Sequence, residues 1–442
     1  MPVLLLVQPS SSPPAGVWQA DGYGTIWEIA GDTLQSWEVT TTTCVRAGRY
    51  VRSAMLPPGA GLAFLDGAVT AWIIRPGPNG RRFVAHSPGT VADVFFHKRN
   101  ALPSICVPPT ADTREANFEV FQRTMGEQYA SFRLRGLDWD AVVGQARMKL
   151  GSATNSREFY DLLEAMIGPL DDRHTDLTAT DLNVRVRHYR HSGGPLEAEA
   201  FERFKAIPPS RYLAGPLESW CQGWIQYGEL TGSIGYLRIL REYTYTPSGR
   251  FEDDSVAATQ ALDSIMPRAA RLRGLVVDVR MNGGGADAIS LLIASRLTGT
   301  SYPAFRKQTR SDPGRRDRFT PLQSVRVRAG PGARYIGPLV LLTGPHTLSA
   351  GEVFTLALLG RRPKITRLGE ATQGIFADEL LRQLPNGWRF QLSTERYLTP
   401  AGRNFEGPGI PPDRRVPLFP PSDRATGRDG ALEAALEVLD HR

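Results

Sequence analysis

Residues 337–360 read GPLVLLTGPHTLSAGEVFTLALLG, and residues 272–297 read LRGLVVDVRMNGGGADAISLLIASRL. Each opens with an unbroken apolar run of strand length, the pattern of a strand buried on both faces. Each run breaks at a turn, PHTLS or NGGG, and the apolar pattern then resumes over a helix-length stretch. Two strand–turn–helix units in succession imply an α/β core. Working outward, SIGYLRIL (233–240) reads as another strand and Asp253 to Arg273 as an amphipathic helix. WRFQLSTERYL (388–398) reads as strand, and GALEAALEVLDH (430–441) closes the chain as a helix.

Towards the N-terminus the texture changes. From Gly16 to about Phe96, short alternating runs such as TIWEI, TLQSWEV and RRFVAH are separated by DG, GD, PG and NG pairs. This predicts antiparallel hairpins in a small barrel or sandwich. Pro103, Pro108 and Pro109 mark a linker. From Asn117 the period becomes helical, through WDAVVGQARMKL and SREFYDLLEAMIGPL with Asn155 or Ser156 as N-cap, and ends in LDDRHTDL (170–177). The expected organisation is a β-rich accessory domain over 1–110, a helical segment over 111–180 and an α/β core over 181–442, as suits a chain of 442 residues.

Composition bounds the function. With 41% apolar and 22% charged residues, wholesale disorder is excluded. The net charge of +7 is carried by arginine, since the lysines are Lys98, Lys149, Lys205, Lys307 and Lys364 alone. The densest basic stretch, Arg310 to Arg318, is interrupted by Asp312, Pro313, Gly314 and Asp317 and has no interleaved aromatics. It reads as a solvated surface, so no nucleic-acid partner is expected. Cys44, Cys106 and Cys221 are far apart and form no CxxC, which predicts neither a disulfide framework nor a zinc site. No window reaches the ~20 apolar residues of a membrane span. The opening MPVLLLVQPSSSPPAG lacks a basic n-region; it is either the tail of a signal that starts upstream or a flexible terminus, and an extracytoplasmic or secreted location is favoured over a cytoplasmic one.

Ser349, at the turn between a buried strand and a helix, suits a nucleophile whose developing charge the helix N-terminus stabilises; it equally suits an N-cap. The run Gly283-Gly284-Gly285 could present backbone N–H groups to an oxyanion, cradle a phosphate or permit tight packing.

The ordered series GSIGYLRI, GLVVDVRMNGGG, GPLVLLTGPHTLSAGEVF, LGEATQG and LPNGWRFQLSTERYLTPAGRNFEGPGIPPD resembles the C-terminal-processing, or tail-specific, serine peptidases over residues 230–440. Relatives of that family include the tricorn core protease and the interphotoreceptor retinoid-binding protein. The resemblance implies a crotonase-like core and a serine endopeptidase acting on protein or peptide substrates, with no cofactor and no metal. In one branch a lysine follows LGxxTxG; here that position is Ile375, and Lys364 reads as a solvated surface residue. The tricorn-like branch uses Ser, His and Glu. The resemblance therefore implies Ser349 as nucleophile, His174 of DDRHTDL as base and Glu406 of FEGPGIPPD as its orienting carboxylate, with Gly284, Gly285 and the Ala350 amide forming the oxyanion hole.

Arg173 stands where tricorn-like members place a small or hydroxyl residue, so direct Glu406–His174 contact is assumed, with Asp171 and Asp172 as rival orienters. His188, His191 and His346 read as exposed loop positions, His346 doubling as a second candidate base. About 55 residues separate DDRHTDL from SIGYLRI, too few for the PDZ domain of processing proteases. The alternatives are a non-catalytic ligand-binding or scaffold protein on the same fold, and a hydrolase of small acyl substrates. Oligomeric state is not legible.

Overall fold

The computed structural model describes residues 14–53, 61–77, 80–187 and 211–441. His188, His191 and most of the N-terminal apolar stretch lie outside the described residues. Gly16 to Arg99 form a closed eight-stranded antiparallel barrel. Each strand pairs with its neighbour in sequence, and the last, Val94–Arg99, pairs with the first, Gly16–Ala20, in the register Val17↔Arg99 to Ala20↔Phe96. Trp18, Trp27, Phe64, Phe83 and Phe96 fill its centre, with Trp27 and Phe96 stacked at 4.1 Å between centroids. Eight strands enclose just the space that inward side chains can fill.

The linker after the barrel holds a correction. Cys44, which opens the fourth strand, is disulfide-bonded to Cys106 in the short turn Ser104–Cys106, while Cys221 is free. The linker crosses the outer face of the first three strands, where Leu102 and Cys106 pack with Val17, Ile26, Trp37 and Val39, to reach the start of the fourth, an adjacency that a sequence separation of 62 residues conceals.

Helices Arg114–Gln128, Trp139–Leu150 and Ser156–Ile167 follow. Asn155 caps the last of these by accepting from the Glu158 N–H at 3.0 Å. Their apolar faces share a core with Leu384, Trp388, Phe390 and Leu392, from strands much later in the chain. A four-stranded sheet cements this union, ordered Val184–Arg187, Asp176–Ala179, Arg389–Ser393 and Glu379–Gln383.

At the centre, Ile234–Ile239, Gly274–Asp278, Leu339–Thr343 and Thr366–Gly369 run parallel within a seven-stranded sheet. The first three are buried at every position, as their continuous apolar runs require. Alternate residues point to opposite faces. Leu275, Val277, Leu339 and Leu341 pack with helices Phe251–Ala269, Asp287–Ser295 and Ala350–Leu358. Val276, Val340 and Leu342 pack on the other face with Leu432 and Leu439 of helix Gly430–Asp440. The result is a three-layer α/β unit with NGGG and PHTLS both at the C-terminal ends of neighbouring parallel strands, where open α/β sheets place their ligands. Among the described residues, no helix is long and apolar enough to cross a membrane.

Candidate active site

Ser349 occupies the N-cap position of helix Ala350–Leu358 but does not cap it: its side chain accepts no bond from the first turn. Its backbone stands at φ 54°, ψ −125°, outside the regions that L-residues populate freely. Such strain persists only where surrounding structure enforces it. Here the Ser349 N–H donates to the Ile375 carbonyl at 3.0 Å, and its own carbonyl accepts from the Glu352 and Val353 N–H groups at 2.8 and 3.0 Å. Glu352 completes the clamp from inside the helix, its carboxyl oxygens accepting from the Gly374 and Ile375 N–H groups at 2.7 Å each. Burial pushes Glu352 up to about 7, although these donors pull the other way.

The glycine loop lies directly against this serine. A methyl group on Gly284, at φ +85°, would stand 2.6 Å from Ser349 Cβ and 3.1 Å from its Oγ. Only glycine therefore admits the serine at this distance. The Gly284 N–H is committed to Asn282 Oδ1 at 2.9 Å. The expectation that it faces an oxyanion is corrected accordingly: among the described residues of the glycine loop and the Ser349 turn, the N–H groups of Gly285 and Ala350 have no acceptor.

Beneath the loop sits Glu242, fully buried, which accepts from Asn282 Nδ2 at 2.6 Å through Oε1; its Oε2 has no partner. Burial pushes Glu242 up to about 8, against the smaller pull of the Asn282 bond, so its carboxyl is neutral near pH 7. The Glu242 backbone brackets Gly285, donating to the Gly284 carbonyl at 2.9 Å and accepting from Ala286 at 3.0 Å. Nothing in the sequence pattern marked Glu242.

Glu406 is 2% exposed. Its Oε2 accepts from the Phe376 and Ala377 N–H groups at 2.9 and 3.3 Å, one residue beyond the carbonyl that holds Ser349. Arg135 ties it to the histidine loop: one nitrogen donates to Glu406 Oε1 at 3.4 Å and the other to the Asp171 carbonyl at 3.0 Å. Burial, then the charge of Asp172, push Glu406 up to about 8, outweighing Arg135.

His174 is 5% exposed, and its backbone N–H donates to Asp172 Oδ1 at 3.0 Å. Asp172 Oδ2 accepts from the Tyr129 hydroxyl at 2.8 Å. The imidazole Nδ1 is buried with no hydrogen-bond partner, so the direct Glu406–His174 contact assumed from the sequence is not formed, and neither Asp171 nor Asp172 replaces it. His346 is half-buried rather than exposed.

Two lysines bear on the chemistry. Lys364 is exposed. Lys307, which sequence reasoning passed over, is buried beside the segment that holds Ser349 and pairs with Asp378 and, at 2.9 Å, with Glu395. Burial alone would push its ammonium down, but Asp378, Glu395 and Asp287 outweigh burial and hold it above the ordinary lysine range. A general base must be neutral when it acts, and Lys307 is locked in the charged form.

Residues 233–416 match the peptidase family S41 model, and residues 110–168 match the tricorn protease C1 domain. The chain carries a peptidase family S41 domain. Ser349, Gly284, Glu242 and Glu406 all fall within that peptidase domain, and the stretch matching the tricorn C1 domain stops at residue 168, short of His174. A crystal structure of a candidate peptidase from Parabacteroides merdae is 28% identical with a TM-score of 0.63, covering 74% of this chain and 97% of that one. The chloroplastic C-terminal processing peptidase of Tetradesmus obliquus is 27% identical over 210 residues, 46% of this chain and 41% of that protein. A tricorn protease homolog of Streptomyces coelicolor is 33% identical over 92 residues, 21% of this chain and 8% of that protein. The chain thus spans less than half the length of these two curated relatives.

Proposed function

We propose that the chain is a serine endopeptidase of the tricorn-like branch, built on a crotonase-like α/β core and acting on protein or peptide substrates. The observation that carries this reading is Ser349 itself, held at φ 54° on a strand-to-helix turn with a hydroxyl that makes no cap bond. Backbone strain of this kind costs of order 1–3 kcal/mol and clusters where a side chain must be aimed. The Ser349 hydroxyl attacks the substrate carbonyl, and the N–H groups of Gly285 and Ala350 receive the oxyanion. Gly284 supplies space and Asn282, propped by neutral Glu242, fixes the loop.

His174 is the base. Its backbone N–H is held by Asp172, whose charge acts on Glu406, and Arg135 bonds both Glu406 and the Asp171 carbonyl of the same loop. The imidazole takes the serine proton and returns it to the leaving amine, and the ionised form of Glu406 stabilises the positive charge held in between. The locked charge of Lys307 and the exposure of Lys364 support His174 over a lysine base. A location outside the cytoplasm is part of the proposal, in line with the disulfide Cys44–Cys106. The test is hydrolysis of an unstructured protein such as casein by the purified chain and by Ser349→Ala. Loss of at least about 10⁴-fold in the variant supports the reading, and equal hydrolysis by both overturns it.

A further inference from the structure

Where the barrel meets the peptidase domain it leaves a cavity of about 580 Å³, within the size range of ligand sites. Both segments that flank Ser349 lead to it. On one side, Gly374–Ala377 continues directly into strand Glu379–Gln383, which forms a wall of the cavity. On the other, barrel residues Ser87, Thr90 and Ala92 line it, and Gly89 in the same loop accepts from the Ala288 N–H at 3.0 Å, in the first turn of the helix that NGGG opens.

Strand Glu379–Gln383 is the edge of its sheet. The Leu384 N–H bonds the Trp388 carbonyl at 2.8 Å, so Arg382↔Phe390 and Leu380↔Leu392 also exchange bonds, and the register turns the backbone groups of Leu381 and Gln383 outward. Gln383 donates to Glu38 Oε2 of the barrel at 2.9 Å, and the Leu381 carbonyl accepts from the Arg382 guanidinium at 2.8 Å. The Leu381 N–H has no partner among the described residues, and its side chain is 65% exposed. An extended chain can pair there as one more strand.

The barrel side of the cavity has a definite chemistry. Tyr50 and Trp72 present half-buried rings, and the charges of Asp66 and Glu38 both act on the Tyr50 phenol. The lining carries five carboxylates, Glu38, Asp66, Asp378, Glu379 and Glu395, against the cations Lys307, Arg382 and Arg389. Lys307 is spent on Asp378 and Glu395, and Arg382 donates to the Tyr23 carbonyl. Asp66 is paired with no cation among the described residues. Aromatic faces beside an uncompensated carboxylate attract organic cations.

We propose that the barrel mouth is a substrate subsite that takes a lysine or arginine side chain of the polypeptide being cleaved, whose backbone runs past the edge strand Glu379–Gln383 and accepts from the open Leu381 N–H. This rests on the peptidase reading. Ser349 is bonded to Ile375, and the chain from there to Leu381, bent at Ala377 before strand Glu379–Gln383 begins, spans at most roughly 20 Å at about 3.3 Å per residue. The basic residue therefore lies within about six positions of the scissile bond.

The test uses internally quenched peptides in which one lysine is walked outward on either side of the scissile bond, each compared with norleucine at the same position. In the full chain, kcat/KM favours lysine by about tenfold or more at one position within the first six, mainly through KM, and the Glu38→Gln/Asp66→Asn double variant brings that ratio near one. A ratio near one at every position in the unsubstituted chain overturns the subsite, as does a ratio that the double variant leaves intact. Calorimetry with Ser349→Ala reads the subsite without chemistry: tighter binding of the lysine peptide supports it, and equal binding of both peptides overturns it. Cleavage without preference leaves the peptidase reading standing. Preferential binding without cleavage by the unsubstituted chain leaves the subsite and removes the peptidase.

Discussion

Replacing Gly284 with alanine adds one methyl group at the most crowded point of the site. It would lie 2.6 Å from Ser349 Cβ, against about 3.5–4.0 Å for two carbons in ordinary contact, so the serine or the loop must yield by about 1 Å. The position also sits at φ +85°, where any side chain costs roughly 1–2 kcal/mol. A 1 Å misplacement of a reacting group costs about 10²-fold. Gly284→Ala is therefore expected to lower kcat by about 10²-fold while the unfolding free energy falls by only a few kcal/mol. The neighbouring Gly283→Ala supplies the control, because a methyl group there meets nothing within 4 Å and φ is not in the left-handed region. Peptide hydrolysis and the rate of labelling by a fluorophosphonate are measured for both variants, with calorimetric melting alongside. Equal losses in the two variants, or full activity in Gly284→Ala, would refute the contact between the glycine loop and the nucleophile.

Glu242→Gln tests the buried acid beneath that loop. Because burial raises Glu242 to about 8 in the folded chain, its contribution is fully present below the unfolded value of about 4.5 and is lost as pH rises towards 8, at about 1.4 kcal/mol per pH unit. The stability of the unsubstituted chain relative to the variant should fall by about 3 kcal/mol between about pH 5 and about pH 7.5 in urea titrations of the core transition; a gap that does not change with pH contradicts a neutral Glu242. His174→Ala should abolish hydrolysis and Lys364→Ala should retain most of it. The reverse pattern in those two variants assigns a lysine base.

The strand–turn–helix units were legible because their strands are buried on both faces, which leaves a continuous apolar run that few other elements produce. The hairpins were equally legible from alternation and turn pairs, but closure was not. A barrel differs from a sandwich here by the pairing of Val17 with Arg99 and its neighbours, a contact between the ends of the segment that no local pattern records. The path of the linker across the outer face of that barrel brings Cys106 to Cys44 and hid their bond.

At the site, Ser349 and the glycine loop were readable from position on the parallel strands. The division of labour within the loop was not, since it depends on Asn282 Oδ1 taking the Gly284 N–H. Glu242, Arg135 and Lys307 left no signal in the sequence because their roles arise from burial against elements distant along the chain. Glu406 was legible only through resemblance. Its burial beside Phe376 and Ala377 is a tertiary fact, and the unpartnered Nδ1 of His174 is one as well.

The central claim is that Ser349 is an activated nucleophile. Incubating the intact chain with a biotinylated fluorophosphonate and mapping the adduct by peptide mass spectrometry tests it most directly. The account predicts one modified residue, Ser349, with labelling lost in Ser349→Ala and slowed strongly in His174→Ala. An unlabelled chain, or an adduct on any other residue, would contradict it.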